Sequence, residues 1–198
     1  MTIILSKRET MNLKKLSTIC LLGFTLLAQA NELNNQEAKK IAIDAIKTVG
    51  GTLQHTLKTK VKQEGFASAA DFCSLEASSL TQKSIATLPK GVSVKRVTKK
   101  PRNEKNLANE MQTKVLEEIE TKMKSGTTPK LIIKKITTNH YQVYKPLIIS
   151  KACLNCHGDN TTRNKDAYTI IAKHYPNDKA INYKLGELRG AFLVDIIK

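Results

Sequence analysis

Apolar residues recur at spacings of three and four through residues 36–61: Ala38, Ile41, Ala42, Ala45, Ile46, Val49 and Leu53. Lys39, Lys40, Asp44 and Lys47 fall on the opposite side, so the stretch predicts an amphipathic helix. Gly50-Gly51 interrupts it and marks an expected kink, while His55 lies off the apolar stripe and is expected in solvent. A second helix is predicted over 66–86, with Ala69, Phe72, Cys73, Ala77, Leu80 and Ser84 on one face, which turns Cys73 inward. Leu88-Pro89-Lys90-Gly91 reads as a turn, and Val92, Val94 and Val97 then alternate as a strand that Pro101 brings to an end. Asn106 is positioned to cap a third helix over 107–124, stopped by Ser125-Gly126. Residues 131–136 and 140–149 read as a hairpin across Thr138-Asn139, with His140 exposed at the turn. A short helix over 166–173 and a final, central strand over 191–197 complete the pattern. Helices come first and antiparallel strands later, so the predicted class is α+β, not an alternating βαβ fold.

One apolar run does not belong to this pattern. Residues 16–27 are apolar, Lys14 and Lys15 precede them, and Ala28-Gln29-Ala30 follows as a small-x-small cleavage site. This is the signature of a secretory signal peptide over 1–30, with a mature domain over 31–198 and a periplasmic destination. The run is too short to span a bilayer. Met11 opens a complete signal by itself, so translation starts at Met1 or Met11. Cys20 follows Ile19, where a lipoprotein cysteine needs a small residue, so it is expected to leave with the leader. The mature chain suits a single domain.

Charge narrows the partners. The chain has 33 Lys and Arg against 17 Asp and Glu, a net charge of +16. Lys7, Arg8, Lys14 and Lys15 against Glu9 put +3 of this in the leader and leave +13 on the mature domain. Such a field favours acidic partners, either a redox or signalling protein or anionic headgroups. Nucleic acid is set aside, because an exported protein rarely meets it and 5% aromatic residues make a poor stacking platform. The plain alternative is a solvated, lysine-rich surface.

The candidate chemistry lies in Cys153-Leu154-Asn155-Cys156-His157. C-x-x-C-H is the attachment motif of haem c: the two thiols add to the two porphyrin vinyl groups, and the adjacent histidine becomes the proximal iron ligand. In a chain of this composition the pattern is expected by chance roughly 0.002 times. Two other readings compete. Leu147-Ile148-Ile149 before the motif would suit a thioredoxin-like dithiol, and a zinc site could use both cysteines with further ligands. Zinc is disfavoured by the adjacency of Cys156 and His157 and by the lack of a second C-x-x-C. Once the leader is removed and the motif has taken two thiols, Cys73 is left over. It is either a small buried hydrophobe or a thiolate sixth ligand to iron. His174, His140, Met111 and Met123 are the rival sixth ligands.

Several blocks in a fixed order then resemble a known family. Gly91 to Asn103, GVSVKRVTKKPRN, is followed by Tyr144-Lys145-Pro146, by Cys153 to Gly158, by Tyr175-Pro176-x-Asp178-x-Ala180, and by Gly186-x-Leu188-Arg189-Gly190-Ala191. The chain resembles the Tll0287-like haem domain family over about 38–194. The resemblance implies a PAS-like antiparallel sheet with helices beside it and one covalent haem c. It also implies ligation by the motif histidine, His157, and by a helix cysteine, here Cys73. The family's helix often continues Cys-x-x-x-Ala-Pro, and this chain has Ser78 in place of the proline. Arg96, Arg102 and Arg189 lie in the matching blocks and are candidates to meet the haem propionates. The implied role is sensing of redox state or a small ligand. The alternative is a small basic electron-transfer cytochrome c. An enzyme of peroxidase type would need an open distal side and placed acid–base groups.

Overall fold

The computed structural model describes residues 33–198. The leader expected over 1–30, with Met1, Met11 and Cys20, lies outside the described residues.

Helix α1 (Asn35–Ile46) starts where the Asn34 side chain accepts from the backbone N–H groups of Gln36 and Glu37, each at 2.9 Å. It buries Ala38, Ala42, Ala45 and Ile46. The kink expected at Gly50-Gly51 is a π-helical turn, Lys47–Gly51, that carries the chain into α2 (Thr52–Leu75) without leaving helical geometry. Gly65 breaks α2 internally with φ 83° and ψ −178°, a conformation essentially confined to glycine. The predicted second helix, starting at 66, follows from that residue. It is not continuous to 86, because the chain breaks again at Glu76 before α3 (Ala77–Ile85), and no glycine or proline marks that break. Ser78 falls in the first turn of α3, a place where proline fits equally well.

Strand β1 (Val92–Val97) leads through a 3₁₀ turn, Glu104–Asn106, to α4 (Glu110–Lys124). The cap of α4 is Asn109, not Asn106. Asn109 and Gln112 satisfy each other's backbone N–H groups in a capping box, which fixes the start three residues later than a lone Asn106 would. The hairpin β2 (Ile132–Thr137) and β3 (His140–Ile148) turns at Thr138-Asn139. A 3₁₀ turn, Lys151–Cys153, runs into α5 (Leu154–His157), followed by α6 (Lys165–His174). Strand β4 (Leu188–Ile197) is central, as expected, in an antiparallel sheet of order β1-β4-β3-β2. The α+β class therefore holds.

Both faces of the sheet are covered. Val94, Tyr141, Val143, Val194 and Ile196 pack toward α1. Val97, Ile132, Tyr144 and Leu193 pack toward Val115, Leu116 and Ile119 of α4. His140 corrects the exposed-turn expectation. It enters the β3–β4 ladder opposite Ile197 and is half-buried, and its Nε2 lies 2.9 Å from Asp195 Oδ1 on the neighbouring strand. Gln142 Nε2 donates to the same oxygen at 2.9 Å, and the buried Tyr144 hydroxyl donates to Gln142 Oε1 at 2.8 Å. Burial, and then the Asp195 charge, push the Tyr144 phenol up to about 12.

Ile119 is fully buried between α4 and the sheet, whereas Met111, near the start of the same helix, is 57% exposed. Ile119→Ala should lower the unfolding free energy by about 2–5 kcal/mol. Met111→Ala should stay within about 0.5 kcal/mol of the parent, both read from urea unfolding midpoints.

Candidate functional site

The C-x-x-C-H residues occupy one continuous helical stretch, the Lys151–Cys153 turn and α5. On helical backbone, positions three apart share a side, so Cys153 and Cys156 face the same way. Both are free thiols, and Ser150 Oγ lies 3.1 Å from Cys153 Sγ. The stretch stops at Gly158, whose N–H donates to Leu154 O at 2.9 Å. A Cβ at Gly158 would collide with Thr162 Oγ1, so the residue after the motif histidine must be glycine for the following loop to close on it. Asp159 organises that loop. Its Oδ1 accepts from the N–H and hydroxyl groups of both Thr161 and Thr162 at 2.7–3.0 Å, and these donors hold its carboxyl down to about 2.

His157 is fixed from behind. Its Nδ1 lies 2.7 Å from Ala180 O, and a carbonyl only accepts, so Nδ1 carries the proton and Nε2 keeps its lone pair. Arg102 Nη2 is 3.4 Å from the same Nδ1, but two donors do not bond. The partners of Arg102 are Asp178, from Nε to Oδ2 at 3.1 Å, and Cys156 O, from Nη2 at 2.7 Å. Asp178 Oδ1 in turn accepts from Ala180 N–H at 2.8 Å. One carboxylate thus places both the guanidinium beside the motif and the carbonyl that orients His157. Burial first, then the Arg102 and Arg189 guanidiniums, hold the imidazole well below its ordinary value, so it stays neutral and able to ligate.

His157, Cys153 and Cys156 open on a cavity of about 630 Å³, a usual size for a ligand or cofactor site. Helix α2 contributes Leu57, Phe66, Ala70 and Cys73, and the sheet contributes Arg96 and Phe192, which stand opposite each other in the β1–β4 register. Helix α6 packs Ala167 and Ile171 on Ala70 of α2, with Cys156 beside them. Burial raises the Cys73 and Cys156 thiols, and the Arg96 and Arg102 charges offset part of this at Cys73. Arg96 lines the cavity and keeps accessible surface. Among the described residues it has no hydrogen-bond or salt-bridge partner. Arg189 also lines the cavity, but its Nη1 already donates to Thr98 Oγ1 at 3.0 Å and Lys100 O at 3.2 Å.

These residues fit the group that the motif implies. Two thiols, a neutral imidazole, a further cysteine and an unpaired guanidinium face one largely apolar space. The rival ligands His140, His174, Met111 and Met123 do not line it. Among the described residues no three His, Cys, Asp or Glu side chains cluster closely enough to hold a metal ion by themselves. Asp178 and Ala180 have roles that sequence reasoning missed. The signal was present in the Tyr175-Pro176-x-Asp178-x-Ala180 block, where both stand two residues apart.

A family model for Tll0287-like domains matches residues 27–196. The chain belongs to the Tll0287-like family. Among solved structures, the crystal structure of the cyanobacterial heme-protein Tll0287 matches at a TM-score of 0.55 and 18% identity, over 84% of this chain and 98% of that chain. At that identity the likeness is one of fold. No curated protein matches the chain.

Asp178 is 2% exposed and Arg102 14%. Asp178→Ala should cost about 3 kcal/mol in urea unfolding, because it strands the guanidinium and frees the Ala180 turn. The Asp159 loop should depend on pH. A depressed carboxyl stabilises the fold above its unfolded value near 3.9, and that contribution is lost as pH falls toward about 2. Amide-exchange protection at Thr161 and Thr162 should hold at pH 5 and vanish by about pH 2, and Asp159→Asn should remove the pH dependence.

Proposed function

We propose that the chain is an exported c-type haem protein with one haem, held through thioethers from Cys153 and Cys156 and ligated by His157 and Cys73. The observation that carries the reading is the cavity on which all four side chains open. Addition of each thiol across a vinyl group forms a C–S bond and moves the thiol hydrogen to the neighbouring carbon, so nothing is released. The bound group would supply a one-electron redox centre. The chain's own contribution is to present Nε2 of a neutral imidazole, to offer a second sulfur from α2, and to keep Arg96 unpaired toward the space where propionates would need a cation. Of the three candidate arginines, Arg96 is the one with no hydrogen-bond partner among the described residues, while Arg102 serves Asp178 and the motif backbone and Arg189 serves Thr98 and Lys100.

A thiolate ligand favours ferric iron and lowers the potential. In the reading we favour, Cys73 would be the displaceable ligand of the bound group, so the protein would report redox state or a small ligand to a partner. Export to the periplasm rests on the sequence of residues 1–30, and no helix among the described residues is long and apolar enough to cross a membrane. The basic cavity lining favours a second reading, an electron carrier for an acidic partner.

Expressed in a host with cytochrome c maturation, the purified protein should begin at Asn31 and carry the mass of one haem, retained through acid–organic extraction. A zinc-loaded, haem-free product ends this reading. The ferric protein should be low-spin with thiolate features in electron paramagnetic resonance. Cys73→Ser should keep the haem, turn the iron high-spin or water-bound, and raise the reduction potential. Carbon monoxide binding on reduction separates the sensor from a carrier that stays six-coordinate. If Cys73→Ser changes neither spectrum nor potential while His174→Ala changes both, the sixth ligand is the histidine.

A further inference from the structure

We propose that the mouth of the Cys73–His157 cavity is the docking surface for an acidic one-electron redox protein. The proposal rests on the haem reading above and adds where the partner binds and what chemistry it presents. The cavity lining holds three arginines and four lysines and no aspartate or glutamate. Lys95 faces the α4 side of the sheet with its register partner Leu193. Lys58, Lys62 and Lys105 both line the cavity and are exposed, which places them at its rim.

Some lysines elsewhere on the molecule are neutralised. Lys60, between the two rim lysines of α2, reaches Glu64 at 3.1 Å, and Lys99 reaches Glu120 at 2.6 Å. Lys114 and Lys122 each pair with a glutamate one turn earlier on α4. Among the described residues Lys58, Lys62 and Lys105 have no carboxylate within salt-bridge distance. Lys58 and Lys62 also stand at i and i+4, where like charges repel. The lining of the motif cavity thus carries seven cations and no carboxylate, and three of its lysines stand at the rim without a carboxylate partner. Close by in sequence, Leu107 is 56% exposed and Met111 57%. Apolar contact beside charge suits a small transient interface, and clustered charge of one sign speeds encounter with a partner of the other. Exposed cations at the mouth of a cavity suit a folded protein that presents carboxylates there.

Reduced plant-type ferredoxin, an acidic, strongly reducing one-electron donor, is a suitable probe for stopped-flow reduction of the ferric holoprotein. A rim variant, Lys58→Glu, Lys62→Glu and Lys105→Glu, should slow the second-order rate ten- to a hundredfold at low salt and flatten its salt dependence. A variant with the same change in net charge at Lys39, Lys90 and Lys173, which are exposed and do not line the cavity, should change it less than threefold. Lys→Gln at the rim should give an intermediate slowing, which keeps the test open where charge reversal impairs folding. Equal slowing in both triple variants would mean that net charge alone acts, and the docking surface falls. If the rim variant loses binding to phosphatidylglycerol vesicles while its ferredoxin rate is unchanged, the occupant is a lipid surface and the proposal is overturned. Should the purified protein carry no haem, the haem reading has failed separately. Calorimetric binding of ferredoxin to the parent and the rim variant then decides docking: loss at the rim sustains it, equal affinity removes it.

Discussion

The proton on His157 Nδ1 is the constraint on which the site depends. Ala180 O accepts it at 2.7 Å, which fixes the tautomer, the ring plane and the direction of the Nε2 lone pair together. That carbonyl is placed by Asp178, which accepts from the Ala180 N–H and holds Arg102 against the backbone of Cys156. The loop is sewn to the motif twice more, where Tyr183 N–H donates to His157 O at 2.9 Å and Asn182 N–H to Gly158 O at 3.0 Å. The Tyr183 ring then meets the imidazole edge-on at 6.2 Å between centroids. A histidine gripped this way has one nitrogen left for chemistry.

Around it the electrostatics are lopsided. Arg96, Arg102 and Arg189 all border the same cavity, and only Asp178 answers them with a carboxylate. Three guanidiniums facing one space favour an occupant that brings negative charge. Arg102 and Arg189 spend donors on protein acceptors, and Arg96 does not. The same asymmetry continues outward into the unpaired lysines of the rim.

Much of this was legible before the fold. The run from Val92 to Val97 read as a strand and the run from Ala191 to Ile197 as a central one, which lies between β1 and β3 with Leu193 packed toward α4 and Val194 and Ile196 toward α1. The motif spacing singled out Cys153, Cys156 and His157, and the fold sets all three on one cavity. What was not legible depended on competition or on distance. Asn106 and Asn109 are both good caps, and only the reciprocal bond to Gln112 decides between them. His140 read as a turn residue because its partner, Asp195, is 55 positions away. The break at Glu76 has no local marker. Asp178 stood in a recognisable block, but a carboxylate that acts through a backbone N–H leaves no pattern in composition or period.

The spacing of the contacts around His157 bears on the order in which the molecule can assemble. The bond to Ala180 closes a separation of 23 residues, Arg102 to Cys156 spans 54, and Arg189 to Thr98 spans 91. Loop-closure entropy grows with the logarithm of length, so the shortest of these is cheaper than the longest by about 1 kcal/mol. The cradle of the motif histidine is thus a short-range structure set inside a long-range sheet. It can form before β1 finds β4, and it can open and close again without the sheet coming apart. A chain built this way can present the thiols of Cys153 and Cys156 on an ordered turn before the sheet is complete.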